Sequence, residues 1–280
     1  MALTFPEGMH RTKANGADIR YLRAGSGTPV LLLLTLRTQL VIFGPLLQHL
    51  DTARVEVIAA DLPGHGESSA PPVRYTASYF TDTAQALLEA CQVTGALVVG
   101  ESIGGSIALG LAARGDPRVA RVIAINPYDY GRRGGITRSS PIANILFTGI
   151  LWPVVGPVIA HAETRPILRR VLEGGLHDPR SLPPELVETV YRCGSLPGHA
   201  RAFRSLCREW RSWITARTGY PAIELPVTLV YGDSDWSRPA EREANARAIP
   251  AARTVTLTRS GHFSCLESPH EVAQLIHELA

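Results

Sequence analysis

Apolar and polar positions give this chain three stretches with different rhythms. Up to about residue 126, short apolar runs alternate with segments whose apolar residues recur every three or four positions. The runs Ile19–Arg23, Val30–Leu34, Val55–Ala60, Ala96–Val99 and Val119–Ile125 read as strands. Phe43–Leu50, Ser78–Cys91 and Ser106–Arg114 read as helices. Such alternation predicts a mainly parallel sheet covered by helices on both faces. From Pro127 to about residue 220 the strand-like runs stop, arginines multiply, and Pro184–Arg192 and His199–Thr215 show helical spacing. The alternation resumes at Val227–Tyr231 and Thr254–Leu257.

Chemistry gathers where these runs end. Gly100-Glu101-Ser102-Ile103-Gly104 follows the apolar run Ala96–Val99 and precedes a helical one. A strand that turns at once into a helix forces its corner residue into strained backbone angles. Glycines two residues before and after the corner let the chains pass closely enough. The corner side chain then stands clear of the sheet, beside the N–H groups that open the helix. Two later runs also end in polar residues: Val227–Tyr231 in Gly232-Asp233-Ser234-Asp235, and Thr254–Leu257 in Ser260-Gly261-His262-Phe263. Ligand crevices of open α/β sheets lie at such carboxyl ends.

Serine, aspartate and histidine in that chain order resemble the α/β-hydrolases. Three further segments agree: Asp61-Leu62-Pro63-Gly64-His65-Gly66-Glu67-Ser68, Phe43-Gly44-Pro45-Leu46-Leu47, and Gly261-His262-Phe263 with Leu266-Glu267-Ser268-Pro269. The resemblance covers about 1–126 and 221–280. It implies a doubly wound, mainly parallel sheet of the α/β-hydrolase fold with a helical cap inserted after the sixth strand. The expected organisation is a core in two parts, 1–126 and 221–280, with 127–220 as the cap.

The same resemblance assigns roles. Ser102 is the candidate nucleophile, inert at its own pKa without an adjacent base. His262 is that base, able to take and return a proton near neutral pH. A carboxylate must hold the histidine tautomer. The family's G-x-x-D loop matches Gly232 with Asp235, leaving Asp233 as the near alternative and Asp129 as a remote third. His65, in the D-x-P-G-H-G loop, is read as a structural hydrogen-bonder. The oxyanion donors are expected at the N–H groups of Ile103 and Leu36. Here the chain departs from the family. Leu34-Thr35 stands where a His-Gly dipeptide is usual, and the loop Thr35–Ile42 contains neither residue type.

Composition narrows the reading. The chain has 280 residues, 45% of them hydrophobic, and a net charge of +3, with no basic run interleaved with aromatics. Nucleic acid is therefore not an expected partner. Cys91, Cys193, Cys207 and Cys265 show no metal-ligand spacing and read as thiols rather than a metal site, and the hydrolase mechanism that the resemblance implies needs no metal or organic cofactor. The start, Met1 to Pro6, shows no basic-then-apolar leader, and the expected location is cytoplasmic. Ile142–Ala160 lacks any charge over near-membrane length, but Asn144, Pro153, Gly156 and Pro157 interrupt it. It reads as a cap helix and turn facing a substrate tunnel. Membrane contact is not expected, although some lids of this kind rest on lipid, and for the segment 142–160 that point stays open. The arginines Arg132, Arg133 and Arg138, then Arg165, Arg169 and Arg170, read as a solvated face, or alternatively as receivers of an anionic substrate group.

The function these residues imply is hydrolysis of a small-molecule acyl substrate. The first candidate is an ester, thioester or lactone with a sizeable apolar part, cleaved through an acyl-enzyme. A second is carbon–carbon bond hydrolysis of a meta-cleavage-type diketone. A third is a ligand-binding or weakly catalytic protein with a modified oxyanion loop. Serine at the corner speaks against haloalkane dehalogenases and soluble epoxide hydrolases, which carry aspartate there.

Overall fold

A computed structural model describes residues 8–131 and 134–280. Met1 to Pro6, Arg132 and Arg133 lie outside the described residues. Eight strands form one sheet: β1 (Met9–Ala14), β2 (Ala17–Gly25), β3 (Thr28–Leu33), β4 (Val55–Ala60), β5 (Ala96–Glu101), β6 (Val119–Ile125), β7 (Val227–Gly232) and β8 (Arg253–Leu257). Their order is β1-β2-β4-β3-β5-β6-β7-β8. Pairs β1/β2 and β2/β4 are antiparallel, and the rest are parallel. This is the expected α/β-hydrolase fold.

Strand β1 is not among the elements expected from the sequence. Of its residues Met-His-Arg-Thr-Lys-Ala at the sheet edge only Ala14 is buried, so no apolar rhythm marks it. Its signal is instead the Asn15-Gly16 pair, both at positive φ (47° and 77°), which closes the β1/β2 hairpin through Ala14↔Ala17. By contrast β5 is buried at every position, as a central parallel strand must be.

Twelve helices follow in chain order among the described residues: α1 (Gly44–Leu47), α2 (Ala77–Ala90), α3 (Ile103–Ala113), α4 (Pro141–Ile150), α5 (Gly156–His161), α6 (Arg165–Glu173), α7 (Pro184–Gly194), α8 (His199–Arg208), α9 (Trp210–Ala216), α10 (Pro239–Ala248), α11 (Ser264–Glu267) and α12 (Pro269–Leu279). The helix expected over Phe43–Leu50 is shorter, a 3₁₀ turn at Leu40–Phe43 running into α1. The expected His199–Thr215 helix is two helices that break at Glu209. Helix α3 begins at Ile103, immediately after the corner serine.

Helices α4 to α9 all fall between β6 and β7. Their attachment to the sheet layer is specific. Phe80 of α2 packs against the fully buried Trp213 of α9, ring centroids 5.8 Å apart. The Ala77 N–H donates to Ser212 Oγ at 3.0 Å, and the Tyr75 N–H to Ser205 Oγ at 3.1 Å. No helix among the described residues is long and apolar enough to cross a membrane.

The β5–α3 corner tolerates no extra atom. A Cβ on Gly104 would lie 2.1 Å from the Leu33 carbonyl oxygen, and one on Gly100 would lie 2.0 Å from that of Gly104. Backbone cannot swing aside as a flexible side chain can. Gly104→Ala is expected to cost at least about 3 kcal/mol of stability. Gly131→Ala, where nothing lies within 4 Å, should stay within about 0.5 kcal/mol of the parent. Urea unfolding of both variants checks this, and equal midpoints would contradict it.

Candidate active site

Ser102 directly follows β5 with φ 60° and ψ −117°, far from any helical or extended well. Three backbone bonds hold it there. Its N–H donates to Ile125 O at 2.8 Å, and its carbonyl accepts from Tyr128 N–H at 3.0 Å and Ser106 N–H at 3.1 Å. The side chain is thereby presented past the carboxyl end of the sheet, next to the unsatisfied N–H groups that open α3.

His262 lies in the turn after β8 and meets two of the expected partners. Its Nε2 is 2.8 Å from Ser102 Oγ, and its Nδ1 is 2.6 Å from Asp235 Oδ1. With the proton on Nδ1, Nε2 presents a lone pair to the serine hydroxyl. The histidine and aspartate side chains are 1% and 0% exposed, so water does not compete for these bonds. Burial alone would raise the Asp235 pKa. The His262 charge and hydrogen bond, with the Ser237 donors, outweigh it and hold the carboxyl below its ordinary range.

The other acidic candidates stand elsewhere. Asp233 accepts from the Arg259 N–H at 2.9 Å and the Ser260 N–H at 3.3 Å, which shapes the turn leading to His262. Asp129 accepts from Tyr220 Oη at 2.9 Å and Asn245 Nδ2 at 3.0 Å, joining β6 to α10. His65 Nδ1 donates to Pro63 O at 3.1 Å, and burial lowers its pKa to about 4.

The loop without glycine finds its left-handed residue in Arg37, at φ 67°. For a residue with a Cβ that conformation costs about 1–2 kcal/mol. The arginine side chain offsets it by pairing with Glu163 and stacking over Phe203, 5.1 Å from the ring centroid. Thr38 Oγ1 donates to Thr35 O at 2.8 Å, and Leu40 N–H to Asp61 Oδ1 at 2.7 Å, which fixes both ends of the turn. Asp61, first residue of the D-x-P-G-H-G loop, is thus a clamp on this loop. Leu36 lies on the wall of the same cavity as Ser102.

That cavity holds about 200 Å³. The sheet side contributes Thr35, Leu36, Ser102 and His262, and helices α4 to α6 contribute apolar side chains such as Phe147, Ile150, Ile159 and Leu168. Two wall features were not singled out from the sequence. Trp236, directly after Asp235, stacks on His262 with centroids 3.9 Å apart and planes 21° apart. Its Nε1 donates to Gly174 O at 2.9 Å, while the His262 N–H donates to Gly175 O at 2.6 Å. The second feature is the Arg37–Glu163 pair. An aromatic next to the candidate acid was the available signal for the first, and none existed for the second. Among the described residues no cluster of three or more His, Cys, Asp or Glu side chains is arranged to hold a metal ion.

Comparisons with known proteins bear on the family and the fold. A sequence model described as "Alpha/beta hydrolase family" matches residues 38–275. A 2-hydroxymuconate semialdehyde hydrolase from Pseudomonas putida is 27% identical over 227 residues, covering 79% of this chain and 75% of that protein. Cfl2 from Burkholderia cenocepacia superposes with a TM-score of 0.84 at 19% identity, covering 97% of this chain and 95% of its own. The enol-lactonase from Burkholderia xenovorans LB400 does so with a TM-score of 0.77 at 23% identity, covering 96% and 98%. At such identities the structural likeness carries the fold and not the reaction.

Beneath Ser102 lies a buried acid. Glu101 is 0% exposed, and its Oε1 accepts the Cys265 N–H at 2.8 Å. Burial, reinforced by the nearby Asp235 and Glu267, pushes its pKa up to about 8. At neutral pH it is mostly protonated, which keeps a negative charge from under the serine. The native state therefore binds more protons than the unfolded chain between the two pKa values, and stability falls as pH rises through that window. Glu101→Gln should remove this decline, so its stability advantage over the parent grows from about pH 5 to about pH 8 and then levels off. Denaturant titrations across that range test it. Parallel stability curves would contradict it.

Proposed function

The chain belongs to the alpha/beta hydrolase family, and we propose that it is a serine hydrolase cleaving an ester, thioester or lactone with a sizeable apolar part. The unbroken line Asp235–His262–Ser102, at 2.6 and 2.8 Å, carries this reading. In it, Ser102 Oγ attacks the carbonyl carbon as His262 Nε2 takes its proton. Asp235 holds the Nδ1 proton and stabilises the imidazolium, as required of the third member. The Ile103 and Leu36 N–H groups receive the oxyanion. His262 then returns the proton to the leaving group, and water, activated by the same nitrogen, releases the acyl group. Residues 127–220 act as the cap that supplies the apolar wall and excludes bulk water.

The Pseudomonas putida relative favours a second reading, carbon–carbon bond hydrolysis of a meta-cleavage-type diketone with the same serine and histidine. The cavity wall weighs toward the first. Of the described residues lining it, Arg37 alone carries a fixed positive charge, and Glu163 is already paired with it. That wall offers a substrate carboxylate no unpaired arginine or lysine among the described residues. A neutral acyl compound needs none.

A panel of p-nitrophenyl esters of increasing acyl length tests the proposal. Turnover should rise with chain length until the cavity is filled. Ser102→Ala and His262→Ala should each lower kcat/KM by about 10⁴ or more, with losses that do not add in the double variant. Asp235→Asn should cost less than either, and Asp233→Asn within about threefold. A damaging Asp233→Asn would move the acid to that residue. Absence of turnover on every ester would favour the diketone or ligand-binding readings.

A further inference from the structure

Large apolar side chains are rarely exposed on this molecule, and those that are concentrate in one place. Ile142 and Ile145 of α4, Trp152, Val154 and Val155 of the turn after it, and Val158 of α5 are 46%, 71%, 61%, 84%, 42% and 68% exposed. Folded chains seldom leave so contiguous an apolar surface bare unless it meets something. The opposite faces of the same two helices, through Phe147, Ile150 and Ile159, line the cavity that contains Ser102. The outward patch and the cavity wall are two sides of one layer of helix.

The patch itself carries no formal charge. Residues 139–162 contain no Asp, Glu, Lys or Arg. Beside them Arg204 of α8 donates through Nη2 to Trp152 O at 3.1 Å. Arg201 and Arg208, one turn to either side at helical spacing, are exposed on the same face of α8. The nearest carboxylates are already matched, Glu163 by Arg37 and Glu209 by Arg74. Across residues 127–220 there are thirteen arginines and seven carboxylates, a net charge of +6, while the whole chain carries +3. The remainder is thus net negative, and the excess of positive charge belongs to the segment that carries the apolar patch.

We infer that this face docks on a lipid bilayer bearing anionic headgroups. The turn Trp152–Val155 enters the headgroup layer, and the α8 arginines meet the surface charge. A tryptophan at the edge of a shallow apolar patch, flanked by cations and lacking carboxylates, suits that boundary better than bulk water or the hydrocarbon interior. The prolines and glycine that prevent Ile142–Ala160 from spanning a bilayer do not oppose surface contact. Docking there sets on the lipid the outer side of α4 and α5, whose inner side lines the cavity that contains Ser102, which suits an apolar substrate drawn from the bilayer. That consequence rests on the hydrolase reading above, whereas the docking itself does not.

Vesicle flotation of the full chain tests the inference independently of any turnover. One set of vesicles is phosphatidylcholine alone, and the other contains equal parts phosphatidylcholine and phosphatidylglycerol. The protein should float with the anionic vesicles, bind the neutral ones several-fold more weakly, and dissociate as salt is raised. Val154→Asp and Val158→Asp should each weaken binding by about tenfold or more, since each places a charge where apolar surface is buried. Arg208→Gln should weaken binding to the anionic vesicles alone. Unfolding midpoints equal to the parent's show that the exposed substitutions leave the fold intact. No flotation with anionic vesicles, equal binding to both kinds, or Val154→Asp and Val158→Asp binding like the parent would each overturn the inference. So would a stable dimer that Val154→Asp splits, which would make the patch a contact between two copies.

Discussion

Ser102 at φ 60° and ψ −117° is the constraint around which the rest is arranged. Such a conformation costs about 1–3 kcal/mol by itself and persists only where the surroundings over-determine it. Gly100 and Gly104 let β5, α3 and β3 approach until backbone touches backbone. The bonds to Ile125, Ser106 and Tyr128 then leave the corner no lower-energy alternative. The strain places the hydroxyl, the start of α3 and the His262 turn around one point. A relaxed corner would lose all three relationships together.

The second constraint is that site and cavity wall are held by the same contacts. Gly174 and Gly175, which follow α6, accept from Trp236 Nε1 and the His262 N–H. A Cβ on Gly175 would meet Phe263 at 2.5 Å and Trp236 at 2.9 Å, so only glycine allows the approach. On the opposite wall Glu163 pairs with Arg37, the residue next to the proposed oxyanion donor Leu36. The helical layer over Ser102 is therefore joined to the histidine on one side and to the oxyanion loop on the other. Any movement of that layer moves the reacting geometry, which gives the proposed cap a physical route to substrate selection.

Much of the core was legible because its signals are local. All-buried runs such as Ala96–Val99 announce central strands, and glycines around a polar corner announce the turn. The edge strand β1 was missed because its Met-His-Arg-Thr-Lys-Ala run, buried only at Ala14, has no apolar rhythm, and Asn15-Gly16 was its only mark. Ser102, His262 and Asp235 were named from motif context, and the structure brings those three into contact. What the sequence did not convey is long-range pairing. Nothing near Arg37 signals a partner 126 positions away, nor that an arginine would take the left-handed place expected of glycine. The stacking of Trp236 on His262 likewise depends on how two separate strand ends meet.

The central claim is that Ser102 is a nucleophile activated by His262. The most direct measurement is the rate of covalent labelling by a fluorophosphonate, with the adduct located by peptide mass mapping. The account predicts one adduct, on the peptide containing Ser102, that is absent in Ser102→Ala and forms at least about 100-fold more slowly in His262→Ala. Labelling at another residue, or an unchanged rate in His262→Ala, would contradict it.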